Sequence, residues 1–255
     1  MSSRGVGITP SGRLLGISPG DAAENMAIDA AILACTEPDS GPTLRFYSWR
    51  TPTLSLGYFQ SLQQRNEHAE SAQLPVVRRA TGGGAIVHDR ELTYSLTVPA
   101  TRQWVGAAPE LYRAVHVAFA AALAEFGVSA LRFGDALGPA PAGEPFLCFQ
   151  RRTAEDLLVN HYKVLGSAQR RGHGGLLQHG SLLLAASTAA PQLPGIAELC
   201  GQMITAGELC RVLAEKLAEL LQVQWQAAGL TAEERAAART IQEQKFAAAA
   251  WTERR

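Results

Sequence analysis

The residues of this 255-residue chain that could do covalent chemistry begin with Cys148, framed by bulky apolar neighbours in Pro145-Phe146-Leu147-Cys148-Phe149-Gln150. On residue type alone such a thiol reads as a small buried hydrophobe. A cation within reach alters that reading, because the thiolate and not the thiol is the nucleophile. Lys163 supplies one, opening an apolar stretch that a turn at Asn160-His161-Tyr162 can fold back toward Cys148. Moving a cysteine pKa from ~8.5 to ~7 raises the thiolate share from a few per cent to about half, which suffices for nucleophilic catalysis. With no thiol beside it, Lys163 would be a solvated strand end.

A second feature is Arg78-Arg79-Ala80-Thr81-Gly82-Gly83-Gly84, which runs into Ala85-Ile86-Val87-His88-Asp89. Bare glycine backbone can approach a ligand closely and aim N–H groups at a carbonyl or phosphate, and the paired arginines can orient a ligand or bind an acidic partner. The same string also suits a flexible hairpin turn. It lacks the lysine or glycine spacing of a P-loop or a dinucleotide fingerprint. His88-Asp89 reads as a turn with a capping aspartate more readily than as a proton-transfer dyad. Cys35, Cys148, Cys200 and Cys210 include no CxxC pair, so neither a metal site nor a disulfide framework is expected.

The elements that must position these residues are mixed α and β, with no internal repeat. Asp21 and Glu24 form a capped helix start, Ala22, Met26, Ala30 and Leu33 follow at helical spacing, and the helix should end near Cys35. Apolar stretches at 43–49, 53–58 and 75–79 read as strands. In 92–98 Leu92, Tyr94, Leu96 and Val98 alternate with Thr93, Ser95 and Thr97, the pattern of a strand buried on one face. Leu111, Val115, Phe119, Ala122 and Phe126 mark a second helix, closed by Gly127. After the Gly/Pro/Ala-rich loop 134–145, segments 163–169 and 175–184 read as a hairpin across Gly172-His173-Gly174-Gly175. Capping boxes at Thr205/Glu208 and Thr231/Glu234 open two tail helices, expected on the outside of the sheet. With a boundary conceivable only inside 134–145 or 185–204, residues 1–255 are assigned to a single domain.

Lys plus Arg (23) balances Asp plus Glu (23), so no overall field would hold the chain on nucleic acid or an anionic membrane. The first twenty residues scatter Arg4 and Arg13 among glycines and prolines without a signal-peptide core, and no run approaches the ~20 apolar residues of a membrane span. A cytoplasmic location is expected.

The string RRATGGGAIVHDRELTYSLTVP at 78–99, the Cys148-Phe149 pair, and KVLGSAQRRGHGGLLQHGSLLL at 163–184 occur in the order seen in a known superfamily. From about Asn25 to Arg255 the chain resembles the biotin/lipoate protein ligase and lipoyl/octanoyl transferase superfamily. It is most similar to the branch whose cysteine carries octanoyl groups from acyl carrier protein to protein lysines. The resemblance implies an α/β (α+β) catalytic domain related to class II aminoacyl-tRNA synthetases, with a mixed, mostly antiparallel sheet flanked by helices. It makes Cys148 the acyl-thioester nucleophile and Lys163 the lysine beside the acyl carbonyl. Arg79, Thr81, Gly82, Gly83, Gly84, His88, Gly166, Ser167 and Ala168 become substrate-binding candidates. Leu147, Phe149, Leu165 and Ala168 are candidates to line a slot for the eight-carbon tail.

The implied donor is acyl carrier protein and the implied acceptor a lipoyl domain or the glycine-cleavage H protein, with the enzyme a monomer and no cofactor beyond the octanoyl or lipoyl substrate. Two alternatives stay open. One is an amidotransferase moving lipoyl or octanoyl groups between carrier domains through the same cysteine. The other is an ATP-dependent lipoate ligase, for which Cys148 would be incidental and to which the third glycine, Gly84, is the closer match.

Overall fold

The computed structural model describes residues 10–100, 104, 106–136, 143–172 and 174–255. Arg4, the middle of the 134–145 loop and His173 of the expected hairpin turn lie outside them. The strands are β1 (Ser11–Gly20), β2 (Thr43–Trp49), β3 (Thr53–Leu56), β4 (Val76–Arg78), β5 (Ile86–His88), β6 (Glu91–Pro99), β7 (Leu131–Arg132), β8 (Leu157–Val159), β9 (Tyr162–Arg171), β10 (Gly175–Leu183) and β11 (Gln224–Ala227). The helices are α1 (Ala22–Ala34), α2 (Ala108–Glu125), α3 (Ile196–Cys200), α4 (Ala206–Leu221), α5 (Ala232–Ile241) and α6 (Ala249–Thr252), with one π-helical turn at Gln242–Phe246.

Eight strands form one sheet in the order β11-β1-β2-β6-β10-β9-β8-β7, and β4-β3-β5 form a second, smaller one. Pairing is antiparallel throughout the larger sheet except where β1 meets β2 and β11. The expected mixed, mostly antiparallel architecture is what the chain adopts.

Each face of the large sheet is covered by helices. On one side Leu44, Phe46, Tyr94, Leu96 and Val98 pack against α2 and α4, whose Leu209, Val212, Leu213 and Leu217 form the expected apolar stripe. On the other, Met26 and Ala27 of α1 pack on Tyr47 and Trp49, with Phe246 beside them. The tail helices therefore divide between faces: α4 joins α2, while α5 packs on α1. All three capping boxes form. Glu234, the cap partner of α5, also grips Arg13 of β1 with both oxygens, at 2.7 and 2.8 Å.

The expectation of one buried face on β6 is corrected: all nine residues of the strand are buried. Thr93, Ser95 and Thr97 are small and hydroxyl-bearing, so they can be sealed under α1, where the O–H groups of Thr93 and Ser95 find partners. Ser95 donates to Asp29 of α1 and Thr93 donates to Glu91, while the Trp49 indole donates to Thr93. Asp29 also accepts from Arg45 at 2.7 Å and from the Tyr47 hydroxyl at 2.9 Å, so the α1 face carries a buried polar network.

On the α2 side a second buried network sets a tautomer. His116 is fully buried, its Nδ1 faces the Glu155 carbonyl and must donate, and its Nε2 therefore accepts from the Ser167 hydroxyl at 2.7 Å. Ser167 then receives the Tyr94 hydroxyl, and Tyr94 receives Gln178 Nε2–H. Burial pushes the His116 imidazole down to about 3. An unfolded chain would bind that proton near pH ~6.5. This part of the stability is therefore complete above pH ~6.5 and declines as pH falls, because only the unfolded state gains the proton. Urea titrations from pH 7 to 4 should show about 3 kcal/mol of loss from this group, with a shallower decline in His116→Gln.

Candidate active site

The small sheet delivers the cysteine. Leu147 and Phe146 sit in its core with Leu54, Leu56, Ala85 and Val87. Ala85 N–H donates to the Phe146 carbonyl (2.8 Å) and Cys148 N–H to the Ala85 carbonyl (2.7 Å), so the cysteine segment runs beside the glycine loop as an added parallel bridge. Cys148 then opens a 3-10 turn, Cys148–Gln150.

Gly84 lets the two segments approach. A methyl there would lie 2.8 Å from Arg151 Nε and 2.9 Å from both the Cys148 nitrogen and the Phe146 oxygen. Because two of those atoms are backbone, Gly84→Ala must push the cysteine away from its seat. A displacement of that size should slow alkylation of Cys148 by iodoacetamide, or any reaction that needs its seat, about 10²-fold while circular dichroism stays unchanged.

Lys163 arrives from the large sheet. The β8–β9 hairpin closes through Asn160 and His161, both at positive φ (46° and 69°), the geometry of a type I′ turn. The reversal expected at 160–162 is thus a tight hairpin between β8 and β9. From it the buried Lys163 side chain reaches Asp156 Oδ2 at 2.8 Å, the Cys148 carbonyl at 3.4 Å and Cys148 Sγ at 3.9 Å. It passes over Gly166, where a Cβ would stand 2.5 Å from Lys163 Cε. Gly166 therefore gives the lysine its path as well as lining the cavity at the thiol. Asp156 itself is fixed by the Thr153 N–H, 2.7 Å away.

The arginine pair is internal. Arg78 is fully buried, its donors taken by the carbonyls of Trp251, Thr252, Gly57 and Gln60, so it cannot meet an acidic partner. Arg79 reaches the Gly82 and Gly84 carbonyls at 2.8 and 2.7 Å and Ser55 with its other nitrogen. It shapes the loop from inside. Burial holds its guanidinium below the ordinary arginine value. Gly83, at φ +96°, would bring a Cβ 3.7 Å from Cys148 Sγ and 2.9 Å from Arg79 Nη2. Among the described residues neither Gly83 nor Gly84 N–H has a hydrogen-bond partner.

A narrow cavity of about 60 Å³ opens at Cys148, and Gly82, Gly83, His88, Gly166, Ser167 and Ala168 line it. Met26, Tyr47, Ile86 and Phe149 make its walls largely apolar. Leu147 and Leu165, expected in the slot, are core residues instead, since each points away from the cavity into a packed cluster. Thr81 faces a wider neighbouring cavity of about 640 Å³, and Gly84 lies behind the cysteine. At the far wall His88 pairs with Glu91 at 2.5 Å and with Ser55 at 2.8 Å, and it stacks on Trp49. Its partner is Glu91 and not Asp89.

Two residues passed over in the sequence sit at the centre of this geometry. Asp156 pairs with Lys163, and no periodicity or motif marks it. His179 belongs to the quoted 163–184 string; its Nε2 lies 2.8 Å from Thr81 Oγ1 and its Nδ1 3.5 Å from Asp29 Oδ2. It lines both cavities.

Residues 21–218 match the lipoyl protein ligase A/B catalytic domain model, well over half of the chain. The chain belongs to that family. Octanoyltransferase LipM of Moorella thermoacetica is 33% identical over 268 residues, covering 95% of this chain and 98% of that protein. Octanoyltransferase LipM of Kyrpidia tusciae is 35% identical over 271 residues with the same coverage. With relatives of this kind along almost its whole length, the family member described here is an acyltransferase. A solved lipoate-protein ligase A bound with ATP shares the fold at a TM-score of 0.78 and 22% identity, covering 95% of this chain and 98% of its own. So does a bi-partite lipoate protein ligase from Thermoplasma acidophilum, at a TM-score of 0.74 and 20% identity with 96% of each chain covered. The likeness drawn from the three motifs is borne out. No helix among the described residues is long and apolar enough to cross a membrane.

Proposed function

We propose that this chain carries an octanoyl group on Cys148 and passes it to a lysine of a lipoyl-carrier domain. The observation that carries the reading is the buried Lys163 ammonium, 3.9 Å from the Cys148 sulfur at the mouth of an apolar cavity. The octanoyltransferase names of its full-length relatives support it.

In the first step the sulfur of Cys148 attacks the carbonyl of an octanoyl thioester on acyl carrier protein, and the donor thiol leaves with a proton. Exchange of one thioester for another needs no ATP. In the second, an acceptor lysine amine attacks the new thioester, the amide forms, and Cys148 is released as a thiol; the stability of the amide drives the sequence. Both tetrahedral intermediates place negative charge on the carbonyl oxygen. Lys163 and the unpartnered N–H group of Gly83 are the nearby donors, each commonly contributing about 3 kcal/mol to such an oxyanion. Asp156 holds the lysine in place. The acyl chain would run along the apolar walls of this cavity, where Met26, unbranched and adaptable, can fit itself to the tail.

Intact mass spectrometry after mixing the protein with octanoyl-acyl carrier protein, without nucleotide, tests this. A mass increase of one octanoyl group, discharged by added lipoyl domain, is expected. Acylation of the lipoyl domain only when ATP is supplied would replace transfer with ligation. Discharge of octanoyl from an acylated carrier domain, with no reaction of acyl carrier protein, would make the enzyme an amidotransferase.

A further inference from the structure

The wider cavity, about 640 Å³, adjoins the acyl slot at Met26 and His179. Its inner wall is apolar, built from Ala30 and Leu33 of α1 and from Ile241 and Phe246 of the tail. Its rim is cationic: Arg170, Arg171 and Lys245 all line it. The one carboxylate in the wall, Asp29, is buried and already paired with Arg45 at 2.7 Å.

Among the described residues none of the three rim cations pairs with a carboxylate. Arg170 donates to the Ala80 carbonyl, and Lys245 lies 4.3 Å over the Trp251 ring. Burial and the nearby charges of Arg170 and Arg254 hold the Lys245 ammonium below its ordinary range. In a chain whose charges balance at 23 and 23, this concentration of unmatched positive charge is local. It favours a dianion or a phosphodiester, which an arginine can grip with two parallel N–H groups.

Distance favours the same ligand. The Lys163 ammonium rests over Gly166, and Arg170 and Arg171 lie further along the same strand. At ~3.3 Å per residue they stand about 13–17 Å from that point. A pantetheine arm runs about 13 bonds from sulfur to phosphorus, or ~16 Å at the ~1.2 Å per bond of an extended chain.

We propose that this second cavity receives the pantetheine arm of the acyl donor, its phosphate seated against Arg170, which shares the cavity face of the sheet with its cross-strand partner Leu177, and Lys245, and its thioester delivered to Cys148. The proposal rests on the transfer reading above and adds the donor's route. The phosphate can belong to a carrier-bound arm or to free coenzyme A, which share this chemistry.

Acylation of Cys148 is followed by intact mass with octanoyl-pantetheine and octanoyl-phosphopantetheine at subsaturating concentration. The phosphate should accelerate acylation at least about tenfold, and the ratio should fall toward one in Arg170→Ala/Lys245→Ala but not in the control Arg211→Ala, on the exposed face of α4. Equal rates with both donors in the unmodified protein, or a ratio that survives the double substitution, would overturn the proposal and leave the thioester reading standing. No labelling of Cys148 by any donor would instead remove the transfer reading and this inference with it. Octanoyl-carrier protein and octanoyl-coenzyme A then distinguish the sources: whichever reacts should slow at least about tenfold in the double variant, and undiminished rates from both would also count against the cavity.

Discussion

Cys148→Ser should form no stable acyl adduct and should lose at least about 10³-fold in octanoyl transfer, because a hydroxyl at this position has no base beside it to make it a competent nucleophile. The cation 3.9 Å away, Lys163, is already tied to Asp156 and cannot take a proton from serine. The substitution is nearly isosteric at a half-buried site that heads a short turn, so stability should change by less than about 1 kcal/mol. Mass spectrometry and a transfer assay on the same preparation check both parts. A serine variant that transfers at the unmodified rate would rule out the covalent route.

Lys163→Met should lower transfer by about 10²–10³-fold, the effect of losing a positively charged donor at a developing oxyanion. Stability should also fall by about 3–5 kcal/mol, because the substitution strands the Asp156 carboxylate, whose side chain is 1% exposed. The two losses are separable. In Lys163→Met/Asp156→Asn the stranded charge is gone, so most of the stability should return, read as the urea midpoint. The rate should stay low. Recovery of the rate together with the stability would reduce Lys163 to a structural role.

The local elements were legible in the residues. Asp21 with Glu24, Thr205 with Glu208 and Thr231 with Glu234 are each a helix start written in four positions, and each forms its capping box. Gly127 closes α2 at φ +73°, as its lack of a Cβ suggests. Strand β1 went unread because Ser-Gly-Arg-Leu-Leu-Gly-Ile-Ser-Pro-Gly has no alternation, being held by parallel partners on both sides and not by one buried face. The two faces of β6 were half legible: hydroxyl residues look solvent-facing until Asp29 of α1 and Glu91 of the same strand are seen to accept from them.

For the site, residue types pointed to Cys148, Lys163 and the glycine loop, but their meeting is a tertiary fact. The cysteine is placed by the small sheet and the lysine by the large one. Asp156 shows the limit, since an acid seven positions ahead of a lysine has no periodic reason to meet it until a bulged hairpin brings it there. Arg78 shows it in the opposite sense. A doubled arginine suggests an outward binding surface, yet its partners are carbonyls 173 and 174 residues further along.

That long reach bears on the order in which the chain can mature during synthesis. The Arg78 guanidinium is made 173 and 174 residues before the Trp251 and Thr252 carbonyls that accept from it. Until those residues leave the ribosome, the guanidinium has the carbonyls of Gly57, Tyr58 and Gln60 within reach and must find its remaining partners in water. Complete pairing of this buried cation therefore waits on translation of the segment that carries Trp251 and Thr252.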